Sequence, residues 1–205
     1  RLVGSEMCIR DRLGSSGCGK TTKLGMIAGF ETASSGQIKI GEREVNNLKP
    51  ADRNVAMAFE GYALYPPLTV RDNIAFSLMR EKISKEKVDS KVMEVAELLE
   101  ITDILERYPP SISGGQQQRV SLARALVRDS DALLLDEPMS QLEPQLRAVL
   151  RARVKDYIQH NNKTVIFVTH DQTEAVALAD KIAVMENGDL KQLALSLIHI
   201  SEPTR

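Results

Sequence analysis

Polar and apolar residues alternate through Gln37-Ile38-Lys39-Ile40 up to Gly41, the period of a short strand with one solvated face. Val55-Ala56-Met57-Ala58-Phe59, Ala132-Leu133-Leu134-Leu135 and Val165-Ile166-Phe167-Val168 are instead short apolar runs, the last two without any polar interruption. Such runs predict strands buried on both faces, as in a parallel sheet covered by helices. Lys181-Ile182-Ala183-Val184-Met185 predicts a further strand, ended by Asn187-Gly188. Between these runs the period lengthens. Ser84 to Ile101 carries Val88, Val92, Val95, Leu98 and Leu99 at helical spacing, and Leu142 to Ile158 carries Leu142, Leu146, Val149, Leu150, Val154 and Ile158. Residues 70–128 read as mostly helical, with Pro109-Pro110 as a break, and the mixed charges from Glu81 to Lys91 read as the solvated face of a helix. The order predicts an α/β core with a helical lobe set between its two halves.

A chain of 205 residues suits one domain, or one domain with a subdomain, and can bury its core without disulfides or metals. A net charge of −1, 4% aromatic residues and no Trp argue against a nucleic-acid surface, which needs basic patches or stacking platforms. Cys8 and Cys18 form no spaced pair of the kind that marks zinc, haem or a disulfide framework, and this usage fits a reducing cytoplasm. No apolar run reaches the length of a membrane span, and Arg1 to Arg12 contains no continuous apolar stretch of a signal peptide. Membrane association is therefore expected to come through a partner.

Three segments carry chemistry. Gly14-Ser15-Ser16-Gly17-Cys18-Gly19-Lys20-Thr21 fits G-x-x-x-x-G-K-[ST] without a mismatch. Glycines let the backbone wrap phosphates, a helix beginning near Lys20 adds its positive end, Lys20 can reach the β- and γ-phosphates, and the Thr21 hydroxyl can ligate Mg²⁺. Thr22 extends the same turn. Leu133-Leu134-Leu135-Asp136-Glu137-Pro138 delivers two carboxylates at the end of a buried strand, where ligands of open α/β sheets sit. Asp136 is placed to hold Mg²⁺ and Glu137 to act as general base on a water; a plain surface turn is the simpler alternative for the pair. Ser113-Gly114-Gly115-Gln116 precedes a helical stretch and reads either as a helix cap or as a second anion cradle. A second cradle in one chain points to a composite site shared by two chains.

These segments, followed by Thr169-His170-Asp171, occur in an order that resembles the nucleotide-binding subunit of ABC transporters over about Leu13 to Leu193. Phe59 to Leu78 narrows the likeness to bacterial carbohydrate importers. The resemblance implies a P-loop NTPase fold of the RecA-like type, with a mostly parallel sheet, over residues 13–193. Residues 13–69 and 130–193 would form the nucleotide-binding lobe and 70–129 the inserted helical lobe. It implies ATP and Mg²⁺ as cofactors and ATP hydrolysis coupled to import of a sugar or similar solute. In it Ser113, Gly114, Gly115 and Gln116 meet the γ-phosphate held by the opposite subunit, and His170 serves as a switch histidine beside Glu137. The implied partners are a second ATPase subunit, read as a homodimer, a transmembrane permease met near Tyr62 to Pro67 and, indirectly, a solute-binding protein, with no nucleic acid. The implied location is the cytoplasmic face of the bacterial inner membrane. A soluble ABC ATPase acting on nucleic acid or ribosomes and a truncated, non-catalytic cassette are the competing readings; Ser113 to Gln116 argues against a P-loop kinase or GTPase.

The chain departs from the pattern at named places. Ser140-Gln141-Leu142-Glu143 ends in Glu where the subgroup has Asp, Ser15 replaces a common Pro, and Cys18 reads as a small loop residue. Arg10-Asp11-Arg12 puts three charges where a buried strand should lead into the phosphate loop, so Met7-Cys8-Ile9 is expected to end too early to replace it. RLVGSEMCIRDR and LSLIHISEPTR resemble translated sequencing-adapter sequence, so residues 1–12 and 194–205 are read as non-native, the first strands of the family fold as truncated, and the chain as marginally stable. Glu60 stands where the family has a Gln that contacts Mg²⁺ and the attacking water. A carboxylate is a good hard ligand but adds negative charge near the phosphates. Glu60→Gln is therefore expected to shift the Mg²⁺ concentration that half-saturates ATPase activity, and superimposable Mg²⁺ titrations of the two proteins would reject that role.

Overall fold

The structure, a computed structural model, describes residues 7–11, 19–79, 81, 83–186 and 188–195, with the main chain alone described for 7–11 and Lys20. In chain order the elements are β1 (Met7–Asp11), α1 (Lys20–Ala28), β2 (Lys39–Ile40), β3 (Arg43–Glu44), β4 (Val55–Ala58), α2 (Val70–Phe76), α3 (Lys85–Leu98) and α4 (Gly114–Leu126). There follow β5 (Ala132–Asp136), α5 (Pro144–His160), β6 (Val165–Thr169), α6 (Gln172–Leu178), β7 (Lys181–Glu186) and β8 (Asp189–Leu195). The chain divides into two compact units, Arg1–Met57 with Ser130–Glu137 and Lys155–Arg205, and Ala58–Asp129 with Pro138–Val154.

The first unit is built on a sheet in the order β4-β5-β6-β1-β7-β8. The pairs β5 with β6, β6 with β1 and β1 with β7 are parallel, and β7 with β8 is antiparallel. Every residue of β5 and β6 is buried, which is why both strands are uniformly apolar rather than alternating. On one face Leu24 and Ala28 of α1 join Leu134, Ile166, Val168, Ala183 and Met185 in a common core. Parallel strands need a crossover between them, and α5 supplies the one from β5 to β6.

β1 corrects one expectation. Its main chain runs through Arg10 and Asp11, with Arg10 level with Thr169 on one side and Val184 on the other. The ladder is made by backbone groups, which every non-proline residue carries, so the charges do not stop the pairing. β8 is a second difference: residues 189–195 pair back on β7, and Leu190, Leu193 and Leu195 are exposed on this strand.

The second unit is helical. Thr69 and Ser84 cap α2 and α3 by accepting the N–H of Asp72 and Lys87. Val70, Ile74, Leu78, Val92, Val95, Leu99, Val120 and Leu126 are fully buried or nearly so; Val92, Val95 and Leu99 belong to the stripe read from the α3 sequence, whose Val88 and Leu98 are half-buried. Asn73, itself buried, takes the N–H of Tyr65 on its Oδ1 and donates to the carbonyls of Tyr65, Leu68 and Thr69. Glu81 is not part of a solvated face: it pairs with Lys91 at 3.2 Å and accepts the Asp129 N–H. The helical unit takes in residues 58–69 and 138–154 besides the 70–129 read from the sequence. The later segment is drawn in by Gln118 of α4, which holds the loop after Pro138 through Ser140 and Gln141.

The end of α1 rests on Arg53, which is 3% exposed. Its guanidinium donates to the carbonyls of Met26, Ile27, Asn46 and Leu48, so a cation sits at the negative end of the helix and satisfies its last carbonyls. Gly29 closes the helix at φ 90°, and a Cβ there would lie 2.6 Å from Arg53 Nε. Gly29→Ala would combine a left-handed alanine with displacement of a guanidinium that now bonds four carbonyls. It is expected to cost about 2 kcal/mol or more, read as a lower urea midpoint at unchanged m.

Candidate functional site

The register of β5 on β6 sets Asp136 level with Val168, so both strands end at the same height. The chain then turns sharply. Glu137 is left-handed at φ 49°, unusual for a non-glycine residue, and its N–H still bonds the Val168 carbonyl at 2.9 Å. Backbone strain of this kind, about 1 kcal/mol or more, persists where surrounding structure over-determines it and collects at functional sites.

Asp136 and Glu137 are adjacent and both buried, yet the side chains take different partners. The Thr21 hydroxyl, from the first turn of α1, donates to Asp136 Oδ2 at 2.9 Å. Glu137 Oε2 lies 2.8 Å from Nδ1 of His170, the residue immediately after β6. The carboxylate of Glu137 is only 11% exposed whereas the imidazole is 69% exposed, so a buried acid is held by a ring that faces solvent. With Nδ1–H committed to Glu137, the neutral ring offers Nε2 as an acceptor, and it can donate there only when doubly protonated.

Gly19, left-handed at φ 85°, is the N-cap of α1, and the first turn of the helix contains no acidic residue. That end of the helix suits an anion. Thr21 and Asp136 give a hydroxyl and a carboxylate at one point, which are hard oxygen ligands. Among the described residues no group of three or more His, Cys, Asp or Glu could cage a metal. A donor set of this size fits Mg²⁺, which is usually held by one or two protein oxygens together with phosphates and water.

The helical unit carries the other predicted cluster. Ser113 caps α4, with Oγ accepting the Gln116 N–H and Gln116 Oε1 accepting the Ser113 N–H at 2.9 Å. This capping box occupies acceptors on both side chains. The turn still has donors to offer: the Ser113 hydroxyl proton, the Gln116 side-chain N–H₂ and the first N–H groups of the helix. Such a turn is chemically suited to an anion. A Cβ on Gly115 would stand 3.2 Å from the Gln141 carbonyl, so only glycine fits this approach without displacing the loop.

The structure thus brings Thr21, Asp136, Glu137 and His170 together in the sheet unit, while Ser113 to Gln116 and Glu60 belong to the helical unit. Thr22 is exposed on α1. Gly14, Ser15, Ser16, Gly17 and Cys18 and the Lys20 side chain lie outside the described residues. Glu60 is exposed, and the Tyr62 hydroxyl is pushed to a higher pKa by burial and then by the Glu60 charge. Tyr62 and Ala63 are both left-handed, and Arg124 holds the turn through the Ala63 carbonyl while stacking on Tyr65 at 4.8 Å. Burial lowers the Arg124 pKa without a carboxylate partner among the causes.

Sequence reasoning missed Gln118 and Arg147. Gln118, 2% exposed, donates to Ser140 Oγ and accepts the Gln141 N–H at 2.9 Å. Arg147 donates to the carbonyls of Ser140 and Leu142, so the loop that ends in Glu143 is held from two helices. The available signal was a glutamine two places past Gln116, on the face that buries Leu122 and Ala125.

The ABC transporter family pattern matches residues 12–140. The sn-glycerol-3-phosphate import ATP-binding protein UgpC of Roseobacter denitrificans is 44% identical over 207 residues, covering 98% of this chain and 58% of its own length. The trehalose/maltose import ATP-binding protein MalK of Thermococcus litoralis is 50% identical over 187 residues, covering 88% of this chain and 50% of its own. This chain therefore spans about half the length of the curated relatives it matches. Among solved structures, the ATP-binding cassette MJ0796, a dimer in a post-hydrolysis state bound to ADP and Pi, superposes with a TM-score of 0.85 at 26% identity, covering 95% of this chain and 86% of that one. With the family pattern over more than half its residues and a cassette fold around the paired carboxylates, this chain belongs to the ABC transporter family.

Proposed function

We propose that this chain hydrolyses ATP and so drives import of a sugar or similar small solute through a membrane permease. The observation that carries the reading is the arrangement at the ends of β5 and β6. Asp136 is bonded to the hydroxyl of Thr21, and Glu137, one residue on, is bonded to the exposed ring of His170.

In this reading residues 14–19, Lys20 and Thr22 hold the ATP phosphates, and Thr21 and Asp136 hold Mg²⁺. The ion would neutralise charge on the phosphate oxygens. Glu137, which is buried, accepts the proton of the attacking water. His170 keeps that carboxylate oriented, and when doubly protonated its Nε2–H donates to the γ-phosphate. Ser113, Gly114, Gly115 and Gln116 present their donors to ATP held by a second copy, so ATP acts as the bond between two cassettes and hydrolysis releases it. The dimeric state named for the solved cassette supports this assembly.

Residues 13–69 and 130–193 would then act as the nucleotide-binding lobe and 70–129 as the signature lobe. The relatives are named for import of sn-glycerol-3-phosphate, trehalose and maltose, and xylose and arabinose, which supports a small polyhydroxylated solute. Among the described residues no helix is long and apolar enough to cross a membrane. The names of the import ATP-binding relatives support a place at the cytoplasmic face of the bacterial inner membrane, held by a permease near Tyr62 to Pro67 and served indirectly by a solute-binding protein. The near-neutral charge and the importer relatives disfavour an ATPase that acts on nucleic acid.

The test is Mg²⁺-dependent ATPase activity of the purified chain beside Glu137→Gln. The variant is expected to lose about 100-fold or more in kcat while retaining ATP, and to run as an ATP-stabilised dimer on size exclusion. Equal kcat in the two proteins would overturn the general-base assignment.

A further inference from the structure

Thr169 and Glu174 are 0% and 2% exposed, and neither has a part in the reaction proposed above. Glu174 is a buried carboxylate, an expensive group to place under a helix unless it is bonded. The Thr169 hydroxyl donates to Glu174 Oε2 at 2.7 Å and accepts the Asp171 N–H at 3.0 Å. A hydroxyl has one proton, and the carboxylate takes it, which turns the oxygen lone pairs toward the Asp171 amide. Asp171 Oδ1 in turn accepts the N–H groups of Thr173 at 2.7 Å and Glu174 at 3.3 Å. The result is a closed set of bonds across the step from β6 to α6.

His170 stands inside that set, between two residues whose main-chain or side-chain groups are tied down. Its ring is exposed and reaches Glu137 at 2.8 Å. Strand burial alone does not call for a hydroxyl at position 169. The preceding Val165-Ile166-Phe167-Val168 is wholly apolar and fully buried, and a valine would continue it with the same shape. The hydroxyl is explained by what it does to the next residue.

We propose that Thr169 is a positioning residue for His170, using its bond to the buried Glu174 to aim the imidazole at Glu137. This rests on the reading of His170 and Glu137 as parts of an ATP-hydrolysing site. The chain's own residues supply the whole device: a buried carboxylate orients a hydroxyl, the hydroxyl fixes the amide after His170, and the ring is presented at one angle. The expected loss on removing the hydroxyl lies in turnover rather than in ATP affinity, because neither Thr169 nor Glu174 is among the residues assigned to hold phosphates.

The experiment compares Thr169→Val and Thr169→Ser in the full chain by nitrogen NMR of the His170 ring and by steady-state ATPase kinetics. In Thr169→Val the His170 Nδ1 signal is expected to lose the signature of its bond to Glu137, with kcat down about tenfold and KM for ATP within about twofold of the parent. Thr169→Ser is expected to restore both. In a His170→Ala background, Thr169→Val should change kcat by less than about twofold, since the two act as one unit. An unmoved Nδ1 signal in a folded Thr169→Val protein, or equal impairment by Val and Ser, would overturn the proposal. Should Thr169→Val not fold, Glu174→Gln keeps the shape and weakens the acceptor. It is expected to move the Nδ1 signal in the same direction, and an unmoved signal counts against the proposal equally. The NMR readout needs no turnover. A shifted signal in a chain with no ATPase activity would reject the proposed function and keep this inference, whereas full parental ATPase activity with an unmoved signal would do the reverse.

Discussion

Parallel pairing of β5 with β6, in the register that sets Leu133 on Val165 and Asp136 on Val168, is the constraint on which the site depends. It makes two strands that are distant in sequence end at one level, and it leaves the Val168 carbonyl free to take the N–H of Glu137 one step beyond the strand. A slip of one residue would move every side chain of the strand to the opposite face of the sheet and would separate Glu137 from His170. Both strands are apolar on both faces, so the register is held by the close packing of particular side chains rather than by alternation of apolar and polar residues.

Around that register the polar groups are divided by partner. Asp136 is drawn to the helix that begins at Lys20, and Glu137, bent into a left-handed conformation, is drawn to His170. Two carboxylates one residue apart thereby acquire separate environments, the usual way in which a site assigns different tasks to like groups. The signature turn is organised on the opposite principle. Its capping box engages one acceptor site on each of Ser113 and Gln116 and leaves their hydroxyl and amide protons to offer. One unit presents carboxylates suited to a cation and a water, and the other presents a turn suited to an anion.

Several segments are held by a single buried polar side chain. Arg53 gathers four carbonyls at the end of α1, Asn73 fastens the chain around Tyr65, and Gln118 clasps the loop at Ser140 and Gln141. Each satisfies backbone groups that would otherwise be stranded away from water. Loops secured in this way keep a fixed shape with little apolar burial of their own, which is the condition for offering backbone and short side chains to a ligand.

Much was legible from residue order alone. The continuous apolar runs announced β5 and β6, the helical stripe announced α3, and the motifs named Thr21, Asp136, Glu137, His170 and the turn at Ser113, because strand burial, helix periodicity and phosphate chemistry each restrict residue type locally. What the tertiary structure decided is pairing. That Arg10 and Asp11 continue a central strand is set by β6 and β7, far along the chain, while the return of residues 189–195 along β7 and the bonds of Glu81 to Lys91 and the Asp129 amide depend on how neighbouring segments pack. The same holds for Gln118 and for the link from Thr169 to Glu174. A glutamine or a threonine reads as ordinary in a sequence, and it acquires a task only when folding removes water and leaves one backbone group within reach.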